Sequence, residues 1–63
     1  MPDDRDVLVS AQALIRTYGT RAATVCSENA QRFHKRGDIE AARLWSRIWQ
    51  AVRQLEAENP RPK

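Results

Sequence analysis

A single cysteine, Cys26, leaves the chain without an internal disulfide. No second cysteine and no histidine stands beside it at ligand spacing, which argues against a structural zinc site. No apolar run approaches the roughly 20 residues that span a bilayer. The acidic opening MPDDRDVLVS lacks the basic and apolar regions of a secretion signal. The expectation is a cytoplasmic protein without membrane contact. There is no glycine-rich loop to cradle a phosphate, and the acidic residues form no inward-facing pair. Nothing in the pattern assembles a catalytic, cofactor-binding or metal-binding set, so the chain is expected not to be an enzyme. The aromatic residues are Tyr18, Phe33, Trp45 and Trp49. They do not alternate with the arginines, as a base-stacking platform would require.

Glycine and proline are equally scarce, and their positions are informative. Pro2, Pro60 and Pro62 lie at the ends, and only Gly19 and Gly37 punctuate the interior. Each glycine is followed by a residue suited to cap a helix, Thr20 and Asp38. A glycine in the left-handed conformation closes one helix, and the next side-chain oxygen accepts from the free N–H groups of the following one. The sequence therefore predicts an all-α, three-helix domain over residues 1–59, with very short Gly-centred turns and the third helix longest. The helices fall at about 4–18, 21–36 and 39–58, with 60–63 as a flexible tail.

The three segments carry apolar stripes at helical spacing. The first has Val7, Leu8, Ala11, Leu14, Ile15 and Tyr18, with Asp3, Asp4 and Asp6 at the positive end of its dipole. The second is thinner: Ala22, Val25, Cys26, Ala30 and Phe33, with Asn29 among them. The third is wide: Ala41, Leu44, Trp45, Ile48, Trp49, Val52 and Leu55. In this frame the tripeptide Arg36–Gly37–Asp38, which spells a cell-adhesion ligand, reads as a joint: Arg36 ends a helix, Gly37 breaks it and Asp38 caps the next.

Two resemblances rest on these residues. Ala30, Phe33, Gly37–Asp38 and Ala42 are spaced as in the middle of a tetratricopeptide repeat. The likeness implies a helical hairpin and stops at Ser46 and Trp49, where that repeat has an aromatic and a small residue. Over most of the chain, Ala11, Leu14, Tyr18–Gly19, Ala22, Gly37–Asp38, Trp45, Ile48 and Leu55 resemble a family of short bacterial helical proteins of unknown function. That resemblance implies a cytoplasmic bacterial protein and carries no site residues with it.

Individual side chains give few chemical leads. Cys26 reads as a buried, inert thiol, and His34 as a solvated histidine. The two are eight positions apart on one helix, about 12 Å at 1.5 Å per residue, too far for a nucleophile and its base. Asn29, a polar amide within an apolar stripe, is a candidate for fixing register at a helix contact.

Two surfaces remain as candidates for function. A chain of this size buries only about 60% of its unfolded surface, so association is the expected supplement to its core. Trp49 is hard to cover with two shorter helices, so Trp45, Trp49, Val52, Leu55 and Asn29 are the candidate association surface. The expected partner is a second copy, with an unidentified protein as the other occupant. The net charge is +3, and nine of the eleven basic residues are arginine. Arg43, Arg47 and Arg53, with Lys35 and Arg36 near the joint, form a candidate face for phosphate or an acidic partner. Nucleic-acid binding through that face is the alternative function.

Overall fold

Apolar side chains recurring every three to four residues can leave water together only if the backbone coils into an α-helix. A computed structural model of the chain describes residues 4–58, and every regular element among them is helical. Helix α1 spans Asp4–Tyr18 and α2 spans Ala22–Lys35, with the 3-10 turn Gly19–Arg21 between them; α3 spans Ile39–Glu58. The sequence boundaries of α1 and α3 hold, and α2 is one residue shorter at each end. Pro2, Asp3, Asn59 and the expected tail at 60–63 lie outside the described residues.

The second joint forms as the sequence implies. Gly37 has φ of 82°. Its N–H donates to the carbonyl of His34 at 3.0 Å, and the N–H of Asp38 donates to that of Phe33 at 2.9 Å. These two bonds make the Schellman closure of a helix. Asp38 Oδ1 then accepts from the N–H of Ala41 at 3.2 Å, and the Asp38 carbonyl accepts from Ala42 at 3.0 Å, which starts α3. Arg36–Gly37–Asp38 is thus wholly occupied in stopping one helix and starting another. A Cβ at Gly37 would meet nothing within 4 Å, so only the positive φ opposes substitution. Gly37→Ala is expected to lower stability by about 1 kcal/mol or more, and Gly37→Asn by less, because asparagine tolerates this conformation. Urea midpoints check this; a common midpoint for all three chains would remove the conformational role.

The first joint departs from expectation. Gly19 does take a positive φ, 60°, but Thr20 caps nothing. The positions preceding the 3-10 turn and α2 are Tyr18 and Arg21; both stay right-handed helical and neither makes a side-chain cap bond. A side-chain cap needs an oxygen-bearing residue that leaves helical φ and ψ, and the residue with left-handed φ here is Gly19, which has no side chain. The N–H of Ala22 donates to the Gly19 carbonyl instead, so the chain passes straight into α2. The expected three separate helices are therefore two helical arms: one bent helix in three pieces, Asp4 to Lys35, and α3. Straight, the first arm would measure about 48 Å at 1.5 Å per residue, whereas the molecule is 39 Å in its longest direction.

The bend lets α3 pack against both α1 and α2, while those two touch each other little. The core is built of small residues. Ala11, Ala22, Cys26 and Val52 are fully enclosed, and Val7 and Ile48 complete the cluster. Leu14, Ile15, Leu44, Trp45, Ala51 and Leu55 pack against it from partly exposed positions. Leu8 and Tyr18, expected on the inner face of α1, remain exposed. The thin stripe of α2 is what allows this packing, since Ala22 and Cys26 let the helices approach until Val52 is enclosed.

Candidate association surface

The two surfaces read from the sequence are rearranged by packing. Val52 has no exposed area, so it belongs to the core and not to any free strip. Trp45 and Leu55 are half-buried against that core. Asn29 is half-buried on α2, outside the enclosed cluster. Of the expected strip, only Trp49 is substantially exposed, at 36%. The guanidinium carbon of Arg53 lies 5.5 Å from the centre of its ring, a cation–π arrangement one turn along α3.

An opening lies between α2 and α3 near the joint. Ala30, Ile39 and Ala42 form its apolar lining, and His34, Lys35 and Arg43 are on its rim with Gln31, Ser46 and Arg47. The groove is open to solvent, with a volume of about 790 Å³, and no described α1 residue lines it. Its residues follow from helix geometry. Ile39, Ala42, Arg43, Ser46 and Arg47 are spaced i, i+3, i+4, i+7 and i+8, one stripe of α3, and Ala30, Gln31, His34 and Lys35 are the facing stripe of α2. α1 bends away before it can cover them. Ile39 is consequently 46% exposed.

Trp49 belongs to the same surface. Ala30, Gln31 and Ser46 line both the groove and a shallower hollow bounded by Trp49 and Ser27. From Ile39 to Trp49 is ten residues, about 15 Å along α3. The apolar and basic candidates thus meet: Trp49 and Ile39 mark the ends, and Lys35, Arg43 and Arg47 stand along the sides. Arg36 is exposed at the joint and Arg53 is stacked on Trp49, so neither lines the groove. Arg47 also borders a second groove with Val7, Leu8 and Leu55, and Arg47 and Asp6 each take part in a further interaction.

The role of Ile39, Ala30 and Ala42 was not readable from the chain. Each sits at the edge of a stripe, and only the direction taken by α1 decides whether an edge is covered. His34, read as a solvated residue, is exposed but stands on the groove rim.

Cys26 is enclosed, and desolvation raises its thiol pKa above the ordinary value. Protein thiols are nucleophilic only as thiolates, so this position is unreactive while folded. Stability linked to the shift is complete below the ordinary thiol range. It falls as pH rises through that range, because the unfolded thiol ionises first. A thiol reagent is expected to label Cys26 only as fast as the fold opens, with the rate rising in denaturant. Native labelling at the rate of a free thiol would contradict its burial. Among the described residues, no group of three or more His, Cys, Asp or Glu converges as metal ligands would, and no helix is long and apolar enough to cross a membrane.

Comparisons with protein-family models, with curated proteins and with solved structures find no match to this chain.

Proposed function

We propose that the protein is a non-enzymatic association module that holds a helix of another chain in the groove between α2 and α3. The observation that carries this reading is an uncovered groove with an apolar lining and an exposed tryptophan at one end. Exposed apolar surface rimmed by polar groups is the usual form of a protein-interaction site, and a helix laid in such a groove anchors through side chains at i, i+3 or i+4, and i+7. A regulatory or scaffolding role in a bacterial cytoplasm is consistent with it.

The expected homo-oligomer needs restating in these terms. Two copies meeting groove to groove would bring one cationic rim, with Lys35 and Arg43, against the other, and like charges across an interface disfavour it. A second copy would have to present a different surface.

The test is a panel: the chain alone over a range of concentration, and the chain with acidic, neutral and basic amphipathic helices and with single-stranded and duplex oligonucleotides. Light scattering and fluorescence anisotropy at low and high salt read the outcome. The reading expects a helix, or a second copy, to bind in a manner that survives high salt and weakens in Trp49→Ala. Oligonucleotide binding alone, falling steeply with salt, would replace this function by nucleic-acid binding through Arg43, Arg47 and Lys35.

A further inference from the structure

The groove carries more information than its size, because its lining and its rim make different demands on an occupant. Buried Ala42 forms the floor, half-buried Ala30 is short and exposed Ile39 is branched, so the lining accepts apolar side chains projecting inward. The rim is cationic on both sides, with Lys35 from α2 and Arg43 from α3, and Arg47 one turn beyond Arg43. Among the described residues, no Asp or Glu lines it. An occupant with basic flanks would meet repulsion from both walls. One with neutral flanks would leave Lys35 and Arg43 without charge complement from the occupant.

We infer that the groove receives an acidic amphipathic helix from a different protein, its apolar stripe facing Ala30, Ile39 and Ala42 and its carboxylates flanking that stripe toward Lys35 and Arg43. This rests on the association reading and names its partner class. The distance from Ile39 to Trp49 accommodates about three turns of such a helix. Among the described residues, the exposed apolar pair of α1 supplies no such face. On α1, the exposed Leu8 and Val9 lie among Arg5, Asp6 and Arg16, a mixed set of charges. The apolar lining also separates this occupant from nucleic acid, whose phosphates would contact the rim and leave the lining empty.

The experiment uses the full chain and three fluorescein-labelled helical peptides of about 16 residues. The first carries leucines at i, i+3, i+4 and i+7 with glutamates on both flanks. The second has lysine for each glutamate. The third has the composition of the first in scrambled order, with no apolar face. Anisotropy is read at about 0.15 M salt, where exposed charges more than about 8 Å apart are largely screened. Saturable binding is expected for the first peptide only. Arg43→Glu and Ile39→Asn alter exposed side chains, and circular dichroism verifies that both variants keep the fold. Each is expected to weaken binding by about tenfold or more, Arg43→Glu by loss of charge matching and Ile39→Asn by loss of the apolar contact.

Equal binding of the scrambled peptide would reduce the effect to net charge and overturn the inference. Tightest binding of the lysine peptide would overturn the acidic assignment and leave the association module standing. So would self-association abolished by Ile39→Asn in the absence of any peptide binding. Binding of the first peptide untouched by either variant would place its site elsewhere. No peptide bound and a monomer at every concentration would end both this inference and the association reading.

Discussion

Val52→Asp is expected to leave the chain without stable tertiary structure at neutral pH. The side chain of Val52 has no exposed area, and no polar or charged residue is buried among the described positions to meet a carboxylate. An unpaired buried charge destabilises by several kcal/mol. A domain of this length has only about 3–9 kcal/mol of stability in total, at 0.05–0.15 kcal/mol per residue. Helical ellipticity and its denaturant midpoint measure the loss. Burial raises a carboxyl pKa, so acidification through that raised value protonates the group and should restore part of the helical signal. Gln50→Asp, on an exposed position of the same helix, should stay within about 0.5 kcal/mol of wild type. A folded Val52→Asp with an unchanged midpoint would mean that position 52 reaches water.

Ala22→Leu carries the second-largest expected effect, for the opposite reason. Ala22 is fully enclosed in one cluster with Ala11, Cys26 and Val52, which joins the bent arm to α3. A leucine there adds three carbons to a site with no room, and either α3 is pushed outward or the bend changes. Overpacking of this kind destabilises by about 1–3 kcal/mol, and each kcal/mol lowers the Tm of a chain near this size by about 4–8 °C. Ala13→Leu, at an exposed position of α1, adds the same carbons with little effect on stability. A gain in stability for Ala22→Leu would reveal an unfilled space at the crossing and would undo the close-packing account of the core.

The two joints show where local sequence suffices and where it fails. At Gly37 the glycine, the capping aspartate and the last turn of α2 all favour a stop followed by a start, and the closure forms within six residues. At Gly19 the same pair of signals, glycine then a capping residue, ends in a 3-10 turn and a continuing helix. What differs is the neighbour: α3 packs on both halves of the first arm, and with Ala11 and Ala22 enclosed in the shared core the chain re-enters a helix within the three residues of the turn. A capping hydrogen bond stabilises by about 1 kcal/mol, less than burying several apolar side chains, so packing decides the geometry. The same asymmetry explains the candidate surface. Trp49, Arg43, Arg47 and Lys35 could be singled out from their types and spacing. Grouping them with Ile39, Ala30 and Ala42, and removing Val52 from the surface, required knowing where α1 goes.

Composition and spacing alone determined that the chain is helical, where α1 and α3 begin and end, that Gly37 and Asp38 make a joint, and that Cys26 is enclosed. These are local properties, set by side-chain periodicity and by hydrogen bonds within a few residues. Tertiary structure alone decided that the first two helices form one bent arm, that small residues seal the core over Val52, and that α2 and α3 are left with an open, basic-rimmed groove. Those outcomes depend on which faces meet across the molecule, and a helix stripe states that a face is apolar without stating what will cover it.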